Sequence, residues 1–286
     1  MSCQFTKGIK IICNVRSYTF KSLSHKISWR GNLIDFSQIT TLLFDIDHTL
    51  LIFDDREFFH IYANLIHNFF KKEVPEFEKF LEFFLASTNE MTKIENSNHD
   101  NLTKFAIDFN SRTKISITEI IERFKQFYET DWKQVCQIMI LPKTAKDLLT
   151  LAAEHFSLVA ATNPLFPAIA NEKRFRMAGL SAFPWLEITS ADDYHFAKPH
   201  LEFYEELLDR INKKPSECMM IGDDPINDMI AGKLGMKTFL IKSDGRAFTE
   251  IIQTDPVFEN MNLAADHIGT LENLLDSLMQ YIDSIL

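Results

Sequence analysis

Cysteine is scarce in this sequence: Cys3, Cys13, Cys136 and Cys218 are scattered and form no CxxC pair. Neither a zinc site nor a disulfide framework is indicated, and a reducing compartment fits best. Long apolar runs are missing too. No stretch reaches the roughly 18 apolar residues needed to cross a bilayer, and the opening MSCQFTKGIKIICNV lacks a secretory core followed by a small-residue cleavage site. A cytoplasmic protein with no membrane partner is expected. Positive charge is in deficit: 30 Lys and Arg against 40 Asp and Glu give a formal net charge of -10, which argues against a general nucleic-acid binder. There is no internal repeat or low-complexity tract.

With 286 residues, 46% of them hydrophobic, the chain is long enough for one substantial core plus an insertion. Residues 1–40 stand apart: Lys7, Lys10, Arg16, Lys21, Lys26 and Arg30 face the single acid Asp35. The segment reads as a peripheral basic extension with strands at Ile9 to Val15 and Leu23 to Trp29. Its basic, acid-poor composition also overlaps that of a transit peptide.

Short apolar runs at Thr41 to Phe44, Ser157 to Ala161, Leu186 to Ile188, Cys218 to Ile221 and Lys237 to Ile241 predict buried strands. Helical patterns lie among them at Pro142 to His155, Pro167 to Ala178, Leu201 to Asn212 and Ile226 to Leu234, with Gly179 and Gly235 as left-handed caps. A terminal helix is expected over Leu271 to Leu286. Strand alternating with helix implies an α/β fold, a Rossmann-like parallel sheet with helices on both faces. The alternation breaks once. Between Asp55 and Leu141 only helical stretches appear, at Arg56 to Phe70, Glu76 to Leu85 and Ile117 to Tyr128, the last with Ser116 and Glu119 as a capping box, while Asn96 to Asn101 reads as a loop. The expected organisation is therefore an extension (1–40), a core (41–54 and 142–286) and an α-helical cap (55–141). The cap is rich in aromatics, among them Phe58, Phe59, Phe69, Phe70, Phe77, Phe80, Phe83 and Phe84, most of which should pack helix against helix.

The chemistry begins at Leu42-Leu43-Phe44-Asp45-Ile46-Asp47-His48-Thr49-Leu50. An apolar strand delivers Asp45 at its carboxyl end, where open α/β sheets bind ligands. If the strand continued, Asp45 and Asp47 would face one site; a turn would alter that. Two carboxylates about 4 Å apart repel by roughly 4 kcal/mol at an effective dielectric of 20, so the pair calls for a cation or a shared proton. An EF-hand is excluded, since Leu50 and Arg56 occupy the positions where that loop needs Gly and Glu.

The block DIDHT resembles the DxDxT signature of haloacid dehalogenase-like phosphatases, and three further motifs of that family follow in order. Thr162 ends an apolar strand before Asn163-Pro164. Lys198 stands in Phe196-Ala197-Lys198-Pro199. Ile221-Gly222-Asp223-Asp224-Pro225-Ile226-Asn227-Asp228 matches the acidic motif. The resemblance covers about residues 41 to 245, with the helical insertion where one branch of the family carries a mobile cap.

The resemblance implies that Asp45 is the nucleophile and Asp47 its acid/base partner. It further implies Mg²⁺ as cofactor, held by Asp45, the backbone carbonyl of Asp47 and Asp223, with Asp228 or Asp224 acting mainly through water. Thr49, Thr162 and Lys198 would meet the phosphoryl oxygens, backbone amides after Asp45 would form an anion nest, and Asn163 would meet the leaving group. The implied substrate is a small phosphate monoester, a phosphorylated metabolite of no particular class. A phosphotransferase such as a sugar-phosphate mutase would use the same residues, and a catalytically silent binding protein on this scaffold is the reading from a different class. Dehalogenation fits less well, because that branch lacks the second aspartate, here Asp47. His195 reads as structural or solvent-facing and His48 as pointing away from the phosphate, and nothing fixes the oligomeric state.

Overall fold

The computed structural model describes residues 34–94, 98–242 and 265–285. The basic extension up to residue 33, with its two expected strands, lies outside the described residues.

Six parallel strands form one sheet: β1 (Thr41–Phe44), β2 (Ser157–Ala160), β3 (Trp185–Ile188), β4 (Cys218–Gly222), β5 (Lys237–Ile241) and β6 (His267–Gly269), in the order β3-β2-β1-β4-β5-β6. Because side chains alternate across a strand, the central strands feed two cores. Leu42, Phe44, Leu158, Ala160, Met219 and Ile221 enter one, shared with α6 (Lys143–Ala153) and α9 (Leu271–Ile285). Leu43, Val159, Cys218 and Met220 enter the other, against Phe203, Tyr204 and Leu207 of α8 (Leu201–Ile211). Both faces are covered, which is why these strands read as unbroken apolar runs rather than alternating ones.

Register sets the site. Phe44 is opposite Ala160 on one side and Ile221 on the other, so β1, β2 and β4 end at one level. Asp45, Thr162 and Asp223 therefore emerge along the same carboxyl edge.

Between β1 and β2 lie α1 (Asp55–His67), α2 (Phe77–Met91), α3 (Asn101–Thr113), α4 (Ile117–Thr130) and α5 (Trp132–Cys136). The chain leaves and returns through a two-residue antiparallel bridge, with Ile52 and Ile140 exchanging backbone bonds of 2.9 and 3.0 Å. Side-chain oxygens of Asp54, Asp100 and Ser116 cap α1, α3 and α4. Glu119 accepts from Arg123, so of the expected capping box only the Ser116 half forms among the described residues. Phe70, Phe80 and Phe109 are wholly buried among one another, as helix-packing aromatics should be, whereas Phe58, Phe59, Phe69, Phe77 and Phe83 are half-buried.

The helix expected over Ile226 to Leu234 differs: only Met229–Leu234 is helical, and of the tighter 3-10 kind. Asp224 Oδ1 accepts the amides of Ile226 and Asn227, and Asp228 Oδ2 accepts that of Asp224. These local bonds compete with the α-helical ladder and win. Gly179 and Gly235 end their helices at φ 87° and 93°, the left-handed caps expected of them. No helix among the described residues is long and apolar enough to cross a membrane.

Candidate active site

β1 stops at Phe44 and the chain turns at once. The amides of Leu50 and Leu51 both reach Ile46 O, and His48 takes a left-handed φ of 63°. Since the strand does not continue, Asp45 and Asp47 acquire different partners. Asp45, 9% exposed, meets Lys198, its Oδ1 accepting from Nζ at 2.9 Å. Asp47 meets Arg174, whose Nη1 donates to its two oxygens at 2.8 and 3.0 Å.

Lys198 is also clamped from the other side, donating to Asp228 Oδ1 at 2.6 Å. The Asn163 side chain accepts the Lys198 amide at 3.2 Å, so it steadies the loop that carries the lysine. Thr162 is buried, its carbonyl accepting from the Thr189 hydroxyl at 2.5 Å. Thr49 Oγ1 lies 3.5 Å from Asp223 Oδ1, linking the end of β1 to that of β4.

Of the expected acids, Asp45, Asp223 and Asp228 converge: each offers a carboxylate oxygen within 4.8 Å of the others. Asp224 lies outside this group, its carboxylate taken up by the turn it caps and by Asn227 Nδ2. His48 pairs with Asp55 at 2.5 Å and packs against Phe53, and His195 pairs with Glu206 at 2.9 Å.

The electrostatics are strained. Burial pushes the Asp45 carboxyl well above the usual carboxylate range; Lys198 pulls it down, while Asp228, Asp223 and Asp47 push it further up. Burial raises Asp228 as well, against the pull of Lys198. For Lys198 burial favours the neutral form, but Asp228 and Asp45 outweigh it and hold the ammonium protonated. One lysine cannot balance three clustered carboxylates. The donor set is all hard oxygen, with neither thiolate nor imidazole, which suits a hard divalent cation such as Mg²⁺. The buried thiols of Cys136 and Cys218 are pushed up to about 12, so neither is a competing nucleophile.

Two residues at the site were not singled out from the sequence. Tyr204 donates its hydroxyl to Asn227 O at 2.6 Å, tying α8 to the loop that presents Asp228. Arg174, on α7 (Ala168–Ala178), is 1% exposed. Its neighbours Lys173 and Arg176 look identical in composition; only its spacing of four from buried Ala170 marks it as inward-facing.

A profile of haloacid dehalogenase-like hydrolases matches residues 39–235, which spans β1 through the turn after β4. The chain belongs to the haloacid dehalogenase-like hydrolase family. Among relatives, pyrophosphatase PpaX of Bacillus mycoides is 26% identical over 232 residues, covering 79% of this chain and 94% of the relative. PpaX of Bacillus cereus is 24% identical over 244 residues, covering 83% and 98%. Two solved structures share the fold of this haloacid dehalogenase-like hydrolase at 18% identity. They are a 2-haloacid dehalogenase from Pseudomonas syringae pv. Tomato DC3000 (TM-score 0.57, covering 85% of this chain and 99% of that one) and a HAD phosphatase from Thermococcus onnurineus (TM-score 0.54, covering 84% and 98%).

Proposed function

We propose that this family member is a Mg²⁺-dependent phosphatase acting on a small phosphate monoester through an aspartyl-phosphate on Asp45. The observation that carries the reading is the Asp45, Asp223 and Asp228 cluster with the Lys198 ammonium bridging two of its members. The divalent ion, held by those three acids and the backbone carbonyl of Asp47, would supply charge neutralisation for the incoming phosphoryl group.

The chain's own residues do the rest. Asp45, kept at a strand end with its approach set by Lys198, attacks phosphorus in line, and the bond to the leaving oxygen breaks as the bond to Asp45 forms. Asp47 gives its proton to that oxygen and takes one back from the water that releases phosphate. Lys198, Thr49 and Thr162 provide fixed donors where negative charge develops. Segment 55–141 serves as the cap and supplies contacts to the leaving group. Asp47 and the metal-type acid cluster favour phosphoryl over haloacid chemistry. The relatives named pyrophosphatase bring inorganic pyrophosphate into the range of candidate substrates.

The test is phosphate release from p-nitrophenyl phosphate, a panel of monoesters and pyrophosphate, with and without Mg²⁺. Turnover that needs Mg²⁺ is expected. Full turnover in a chelator, or none on any phosphate ester or anhydride, would overturn the reading; phosphate passed to an added alcohol or sugar rather than to water would favour a phosphotransferase.

A further inference from the structure

We propose that Arg174 is the positioning residue for Asp47, locking that carboxylate and the Thr162 hydroxyl into one rigid unit; the inference rests on the acid/base role proposed for Asp47.

One planar group spans two strand ends. Nη1 of Arg174 donates to both oxygens of Asp47, which follows β1, and Nη2 donates to Thr162 Oγ1, which follows β2, at 3.2 Å. A guanidinium presents its donors in a fixed fork, so satisfying both partners fixes their relative direction; a lysine, with a single rotatable ammonium, could not do this. The arginine is braced from a third direction by Phe166, whose ring centre lies 5.5 Å from the guanidinium carbon. Phe166 in turn packs on Trp132 of α5 at 5.2 Å and on Phe58 of α1 at 6.3 Å. The helical insertion thus backs the group that holds Asp47.

The arrangement is costly as pure architecture. Arg174 side-chain exposure is 0%, and its Nε is buried without a hydrogen-bond partner among the described residues. Fully buried charges are expensive, and well-packed apolar residues commonly substitute for such pairs without loss of stability. Meanwhile the Asp47 side chain keeps 31% exposure. The carboxylate is gripped from inside and still open toward the site, the geometry needed by a group that hands a proton to an external oxygen.

A residue that aims a proton donor matters most when the leaving group needs the proton. The test compares wild type, Arg174→Lys, Arg174→Ala and Phe166→Leu on aryl phosphates of graded phenol acidity, with Asp47→Asn as the reference. We expect kcat for phenyl phosphate to fall about 100-fold in both Arg174 variants, the scale of general acid catalysis. The fall should be far smaller for p-nitrophenyl phosphate, and KM should barely change. Millimolar guanidinium should restore part of the kcat of Arg174→Ala, and Phe166→Leu, which keeps the ion pair and loses only its brace, should show a weaker form of the same pattern. An equal loss across all leaving groups, a rise in KM at unchanged kcat, or full activity in Arg174→Lys would overturn the proposal. Asp47→Asn fully active on phenyl phosphate would instead sink the acid/base reading beneath it.

Discussion

The carboxylate of Asp228 occupies the space that a side chain at Gly222 would need: a Cβ there would come within 2.1 Å of Oδ2 and 2.3 Å of Cγ. The space beside Gly222 is thereby taken by an acid. Gly222→Ala should displace Asp228, releasing one arm of the Lys198 clamp and one member of the acid cluster while leaving the strand backbone acceptable to alanine. Calorimetric titration should find Mg²⁺ affinity weakened at least about tenfold, since a 1.4 kcal/mol loss suffices for that factor. Unchanged affinity would mean that Asp228 takes no part in binding.

Crowded carboxylates would make a bound Mg²⁺ a stabiliser. A ligand bound only by the folded state at about 100 times its Kd adds roughly 2.7 kcal/mol, so Tm in excess Mg²⁺ should exceed Tm in a chelator by several degrees. Asp223→Asn should abolish most of that difference while keeping a cooperative transition. A difference of the same size in the variant would remove Asp223 from the metal site.

Lys104 on α3 is buried and donates to the carbonyls of Lys93 and of His195, the latter three residues before Lys198. The α3 amides of Asn101 and Leu102 reach Tyr194 O and Ala191 O in the same loop at 2.9 and 2.8 Å. Lys104→Met would remove both of the ammonium's bonds, at about 1 kcal/mol for each. Urea unfolding should report a destabilisation of about 2 kcal/mol, with kcat reduced because the Lys198 loop loses one of its anchors.

Asp266 brackets β5: its Oδ2 accepts from the Thr238 amide at 2.9 Å and hydroxyl at 3.0 Å. Burial would raise this carboxyl, but the bonds from Thr238, with Lys237 nearby, leave it below the usual range. A folded-state value below the unfolded one means stability that is present above the unfolded value, about 3.9, and lost as pH falls through the folded value. Asp266→Ala should therefore cost about 1 kcal/mol at pH 7, and the gap to wild type should close below pH ~4. Thermal melts across pH 3 to 7 read this directly, and a gap independent of pH would contradict the charge-dependent account.

How much was legible follows from what each element buries. β1, β2, β4 and β5 are enclosed on both faces, so apolar runs mark them, and the acids at the ends of β1 and β4 stand out against those runs. β3, expected to be buried, is instead a half-covered edge strand with Leu186 48% exposed. β6 has three residues and α5 five, too short for any periodicity to declare itself. In α3 the buried face includes Asn101 and Lys104, polar residues satisfied by core carbonyls, so its pattern reads as solvent-exposed. Arg174 was hidden for the same reason: a buried cation is visible only through partners that fold from distant sequence, here Asp47, 127 residues away.

The proposed mechanism requires that Asp45 carry the phosphoryl group during turnover. Rapid acid quenching of wild type mixed with substrate and Mg²⁺, followed by peptide mass spectrometry, tests it most directly. A transient phosphate adduct is expected on the peptide containing Asp45, absent without Mg²⁺ and absent in Asp45→Asn, which should also lose turnover. An adduct on another residue, or an Asp45→Asn protein that turns over at the wild-type rate, would contradict it.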